Sequence, residues 1–281
     1  MESYVEKILN GKDPAKKGKG FWNDLAVHWE LSEDDMRKYA EFFNWRKLSD
    51  HQKNMSESFI RENADRVHWD RISQRIQMSE DFIDEFKDKV TWDYIWSYQR
   101  HLSCKFIENH LSCCKRVDWN RIVMYQRLTD DFMKKHIDDL SIGNVIEYQK
   151  LKLDMVEFIE SYIKTLPEKD RANNEEKILC YKIEKFDVTE KEMLHYIKLH
   201  GNRGWGGKGW WIILQHQKLN EKFIEEHYEE IKNDYNSIND LWRHQPLSEE
   251  FLKKHEEDVN WNKVKDNRKI KKTDWIKEKL K

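Results

Sequence analysis

From Trp45 to Trp119 the apolar side chains fall into two alternating phrases, each short and each of helical period. One opens on Trp and continues at steps of three and four, as in Trp92, Ile95, Gln99 and Trp119, Ile122, Gln126. Residues so spaced share one face of a helix. The other opens on an apolar residue followed by a small hydroxyl: Met55-Ser56, Met78-Ser79, Leu102-Ser103 and Leu128-Thr129, leading to Ile60, Ile83, Ile107 and Met133. The hydroxyl is an N-cap, acids such as Glu80 and Asp81 complement the helix dipole, and the apolar residue before the cap staples the first turn. Leu31-Ser32, Leu219-Asn220 and Leu247-Ser248 repeat the phrase. Helices of the first kind take Asn44, Thr91, Asp118, Ser141 or Asn260 as caps, with His68 and Gly209 the weaker cases.

The step from Trp69 to Trp92 is 23 residues and that from Trp92 to Trp119 is 27. A self-similar unit of this length is one supersecondary piece that buries its apolar face only by stacking on its neighbours. The sequence therefore predicts an all-α fold, an α-solenoid of about ten short helix-turn-helix repeats of 23–27 residues. Trp92 and Trp119 are expected in the seam between repeats. The recurring Gln52, Gln99, Gln126, Gln149 and Gln217 are expected to bond backbone groups left over at helix ends, in preference to forming a binding ladder.

Four divisions follow. Residues 1–21 are an N-terminal segment: an amphipathic piece with Tyr4, Val5, Ile8 and Leu9, then a basic Gly/Lys loop carrying Lys16, Lys17 and Lys19. Residues 22–166 are a first array whose units begin at Trp22, Trp45, Trp69, Trp92, Trp119 and, degenerately, Ile142. Residues 167–177 are polar, begin with a proline and lack apolar periodicity, which reads as a loop or hinge. Residues 178–281 form a second array: a weak unit at 178–200 with Val188-Thr189, then units opening at Trp210, Tyr235 and Trp261.

Within the second array, residues 200–209 hold five of the chain's nine glycines. A phosphate-cradling loop is excluded: Asn202 stands where the first Gly of that motif belongs, and Gly209 follows the Lys instead of Ser or Thr. What remains is a loop presenting Arg203, Trp205 and Lys208, residue types favoured at binding hot spots and at phosphates.

Composition narrows the function. No run of 18 apolar residues exists and residues 1–20 lack an apolar signal core, so a cytoplasmic, intracellular protein with no membrane partner is expected. Cys104, Cys113 and Cys114 crowd into one unit with Cys180 alone, unlike a disulfide framework. His101, Cys104, His110 and Cys113 have ligand-like spacing for zinc, but His110 occupies the slot held by His136, His227 and His255 in units without Cys, so the repeat explains it and no metal or other cofactor is expected. The formal charge of −2 argues against a protein that coats nucleic acid, although residues 261–281 carry nine basic against three acidic side chains. No catalytic constellation stands out, because the carboxylates fall in capped first turns and the histidines recur at one repeat position.

The phrases Leu247-Ser-Glu-Glu-Phe-Leu-Lys-Lys-His255-Glu-Glu-Asp-Val-Asn-Trp261 and Val117-Asp-Trp-Asn-Arg-Ile-Val-Met-Tyr-Gln126 resemble short tandem repeats of bacteriophage and large DNA virus proteins. The resemblance covers most of residues 45–261. It implies a viral origin and the binding of a host component such as a defence protein, and no established activity. The expectation is thus a non-enzymatic helical scaffold for a protein partner, an inhibitor of host defence, with Arg203, Trp205, Lys208, Lys16, Lys17 and Lys19 as binding residues. The alternative is a nucleic-acid-binding protein that uses the basic N-terminal loop, the Gly-rich loop and the basic C-terminus.

Overall fold

A computed structural model describes residues 3–113, 117–200 and 208–281, the side chains of 200 and 208 excepted. The chain is all-helical and built as a solenoid-like repeat: twenty-two α-helices and three 3-10 turns, with no strand among the described residues. It divides into two compact units, Met1–Gln149 and Lys150–Lys281.

In seven repeats the second helix begins where its hydroxyl or amide cap stands, an exception being Leu153–Ile163, which follows Lys152 and has no side-chain cap bond. Ser32, Ser56, Ser79, Ser103, Thr129, Asn220 and Ser248 each accept a hydrogen bond from the backbone N–H three residues on. Among the first helices, Asn44, Asp118 and Asn260 cap in the expected way. Thr91 does not, because its hydroxyl donates to Asp70 Oδ1 at 2.6 Å instead; Ser141 also makes no side-chain cap bond. Gly209 is no cap: the helix is Lys208–His216, and Gly209 lies inside it, where a Cβ would come within 3.4 Å of Ile197 Cα.

In the unit Met1–Gln149 the first helices stack in chain order: Lys19–His28, Trp45–His51, Trp69–Arg75, Trp92–Tyr98, Trp119–Tyr125 and Ile142–Tyr148. In the other unit the order is Glu168–Lys185, Lys208–His216, Tyr235–His244 and Trp261–Asp266. Each unit holds a continuous apolar core, from Val5 to Phe132 in the first and from Leu179 to Ile276 in the second.

Four expectations are corrected. Residues 167–177 are not a loop, since Glu168–Lys185 is one helix of 18 residues. Its first half is solvated and rich in Glu and Lys, which are good helix formers, and Ile178, Leu179 and Ile183 anchor only the second half, so no apolar period marks its start. The boundary between the units follows Gln149, earlier than 166. The basic loop at 11–20 is helical over half of its length: Asp13 caps the 3-10 turn Pro14–Lys16, Pro14 presets its first turn, and Lys19 opens the next helix. Finally, Tyr235 does not fill a Trp slot. It is 80% exposed, because Tyr235–His244 starts a turn early and Ile238 takes the position seven residues before the Gln.

Adjacent second helices are tied by charge. Counting from the N-cap, the fifth residue of one repeat pairs with the sixth or seventh of the next: Arg37 with Glu62 at 2.7 Å, Arg61 with Glu85 at 2.6 Å, His110 with Asp84 at 2.9 Å, and His255 and Lys254 with Glu225 at 2.9 and 2.6 Å. The polarity inverts at one repeat, whose Glu85 faces back to Arg61 while Asp84 faces forward to His110. A shifted register would place like charges together there. Burial alone would raise the Glu225 carboxyl, but hydrogen bonds from Lys254 and His255 outweigh it and hold the pKa below the ordinary 4.5. A depressed carboxyl stabilises fully above the unfolded value and loses that contribution as pH falls through the folded one. The melting temperature of the native chain should therefore exceed that of Glu225→Gln at pH 7, with the gap closing below about pH 4.5. A gap constant down to pH 3 would show that the pair contributes nothing.

Candidate functional site

The buried polar side chains show what the repeat consumes. Gln99, 1% exposed, donates through Nε2 to the carbonyls of Ser73 (3.0 Å) and Ile76 (2.7 Å) and accepts from the Met78 N–H (2.9 Å). These groups belong to the end of the preceding first helix and the approach to its partner, which lack intrahelical partners. Gln52, Gln126, Gln149 and Gln217 make the same three bonds one repeat back. The structural reading of the glutamines holds. Gln245 completes the set, and Asn267 holds the two carbonyls. Sequence reasoning missed both, although Gln245 lies seven residues after Ile238, just as Gln99 lies seven after Trp92.

Other polar groups are spent likewise. Ser49 and Ser73 accept the N–H of His68 and Thr91, the caps of the next first helices. Glu33 accepts the Ser56 N–H at 2.6 Å, and Glu57, Glu80 and Glu221 do the same for Ser79, Ser103 and Ser248. Cys104 stands in the place of that Glu, with Sγ 3.3 Å from the Thr129 N–H. This position accounts for one proposed zinc ligand. Another, His110, has one ring nitrogen on the Phe106 carbonyl and the other on Asp84. Among the described residues no group of three or more His, Cys, Asp or Glu could hold a metal ion.

The candidate binding residues fall in both units. Arg203 and Trp205 lie outside the described residues, and Lys208 opens the helix Lys208–His216. Lys16 and Lys19 are exposed, and Lys17 lies over the Phe21 ring at 4.8 Å. The basic C-terminus is partly engaged: Lys279 pairs with Glu256, Lys277 with Asp274, and Lys272, its pKa lowered by burial, donates to the carbonyls of Val264 and Asn267.

What the repeat does not consume lies at the ends of the first helices. Tyr98, Tyr125 and Tyr148, each directly before its clamping Gln, are 43, 53 and 44% exposed. Tyr98 rests edge-on against Tyr94 at 5.9 Å, and a hydrogen bond to Glu147 raises the Tyr148 hydroxyl. Between the first two tyrosines runs an open groove of about 400 Å³ lined by Tyr98, Arg100, His101, Met124, Tyr125 and Arg127. The signal was present in the sequence as Tyr-Gln-Arg at 98–100 and again at 125–127.

His101 has φ 68°, a left-handed conformation uncommon for a residue with a Cβ. The backbone around it is pinned from both sides. Gln77 of the preceding repeat donates to the Tyr98 carbonyl at 2.8 Å and accepts from the Arg100 N–H at 3.1 Å. Gln126 of the following repeat donates to the Gln99 carbonyl at 2.7 Å and accepts from the Leu102 N–H at 3.3 Å. No protein-family model, no curated protein and no solved structure matches the chain.

Proposed function

We propose that this chain is a non-enzymatic α-helical scaffold that holds a protein partner on its repeat surface. One observation carries the reading. Among the described residues the buried polar side chains, Asp35 and Ser237 apart, hydrogen-bond across repeats, whereas Tyr98, Tyr125 and Tyr148 stay exposed at a position the stack does not use. Tyrosine at a recurrent exposed position supplies amphipathic contact area at low entropic cost. Burial pushes the Cys180 thiol up, away from the nucleophilic thiolate. The resemblance to phage and viral repeats makes a host defence protein the first partner to test.

The test is capture from host lysate with and without nuclease, followed by titration of the captured protein. Replacing Tyr98, Tyr125 and Tyr148 together by Ser should leave the melting temperature nearly unchanged and weaken binding by at least ~2 kcal/mol. Unchanged affinity would move the binding surface elsewhere, to Arg203, Trp205 and Lys208 first. Nucleic-acid binding is the second reading, favoured by exposed Lys16 and Lys19, which form no ion pair among the described residues. It requires an affinity that falls steeply and linearly on a log–log salt plot and a capture that nuclease abolishes.

A further inference from the structure

We propose that the groove lined by Tyr98, Arg100, His101, Met124, Tyr125 and Arg127 docks an extended acidic segment of the partner protein. Arg100 and Arg127 take its carboxylates, and Tyr98, Met124 and Tyr125 take its apolar side chains. The proposal rests on the scaffold reading and assigns it one surface and one partner chemistry.

Charge use in the rest of the unit supplies the first argument. Arg37, Arg61, Arg75 and Arg121 each pair with a carboxylate within the chain, Arg66 lies over the Trp45 ring, and Arg46 is a lone exposed cation among the described residues. Arg100 and Arg127, both exposed, pair with none among the described residues. Two unpaired guanidinium groups at one position of adjacent repeats are forks suited to bidentate carboxylate binding.

The second argument is His101. Four positions separate Gln99 from Ser103, against three from Gln126 to Thr129 and from Gln245 to Ser248, so this loop holds one extra residue. The loop of the same length, Gln52 to Ser56, uses Asn54, whose amide donates to the Leu31 carbonyl at 2.8 Å. His101 makes no such bond, is exposed, and sits in a conformation that costs an L-residue energy. Bonds from Gln77 and Gln126 hold it there. An inserted residue on a strained, pinned backbone at the mouth of a groove presents its side chain from a fixed point to something outside the chain.

Spacing and composition favour a peptide over a nucleic-acid strand. Stacked helices lie about 8–10 Å apart, a distance that a peptide extended in the polyproline-II conformation covers in one turn of three residues, which returns the side chain to the same face. Carboxylates three positions apart therefore meet both arginines. Positive charge recurs in sequence at Lys150, in the place of Arg100 and Arg127, so the preference for a peptide rests on the apolar lining and on Glu147, which stands beside Tyr148 where a phosphate would meet a carboxylate. Met124 and two tyrosines are also characteristic of protein interfaces.

The probe is a fluorescein-labelled peptide repeating Leu-Glu-Ser, which puts Glu at every third position, compared with Leu-Lys-Ser and Leu-Gln-Ser peptides and with oligothymidylate. The native chain should bind the Glu peptide at least about tenfold more tightly than the other two peptides. Arg100→Glu/Arg127→Glu should abolish that preference with an unchanged helical spectrum and melting temperature. His101→Gly should melt no lower and bind the peptide more weakly. Equal binding of Glu and Lys peptides, an unaffected double variant, or preference for oligothymidylate would overturn the proposal. Lysate capture separates the two levels: if native and double-variant chains retain the same proteins, the groove assignment fails and the scaffold reading stands. If neither retains any protein and the Glu peptide does not bind, both fail.

Discussion

Gln245→Met should destabilise the unit Lys150–Lys281 by about 3–6 kcal/mol, read as a lower denaturant midpoint at unchanged slope. Gln245 is fully buried and donates to the carbonyls of Leu214 at 2.6 Å and Gln217 at 2.8 Å while accepting from the Leu219 N–H at 3.0 Å. Met has similar volume and leaves the packing intact, so the change isolates the polar bonds. Three backbone groups at a buried helix end would lose their partner, each at roughly 1–3 kcal/mol. The first unit provides a contrast. Ile76 occupies the equivalent slot there, and that joint carries Arg75 Nε against Asp50 at 3.0 Å instead. A clamp is thus not present at every joint, but Gln245 sits in a joint built around it. A loss below ~1 kcal/mol would mean that water or backbone rearrangement satisfies the three groups, and the clamp would then set register without adding stability.

How far the sequence could be read depended on where each partner lies. N-caps were legible because Ser79 and Phe82 are three residues apart and the chemistry is local. The glutamines were legible as a repeat, but their partners lie a repeat away, so the clamp's geometry could be expected only in kind. Glu168–Lys185 was missed because half of it buries nothing, leaving no amphipathic period to read. The inverted pairing at Asp84 and Glu85 required knowing which faces of successive second helices meet. Exposure was the hardest property to infer. Tyr98 and Trp92 share one helix and one aromatic class, yet Trp92 is 8% exposed and Tyr98 43%, because six residues along a helix turn the side chain well away from the seam. For the same reason the groove was not recognised as a site, although every residue lining it was visible.

Trp92→Ala should cost about 3–5 kcal/mol, and Trp119→Ala clearly less. The sequence assigns both rings to the same seam, but their surroundings differ. Trp92 is 8% exposed, packs at 5.0 Å from the rings of both Trp96 and His110, and donates its indole N–H to the Lys87 carbonyl at 3.1 Å. Trp45 and Trp69 repeat that last bond to Ala40 and Ala64, each five residues back, so the ring ties a first helix to the chain that ends the preceding repeat. Removing the Trp92 ring therefore opens a cavity and frees a carbonyl at once. Trp119 is only half-buried, and its ring meets His136 at 5.1 Å and Phe132 at 6.4 Å, so truncation there lets solvent fill part of the space. Denaturant titration of the two variants decides the matter: equal losses would show that the ring's place in the repeat, and not its burial, sets the cost. Were Trp92→Ala to keep its midpoint and lose a captured partner instead, the Trp series would be a binding stripe, and the assignment of binding to the tyrosine positions would have to be abandoned.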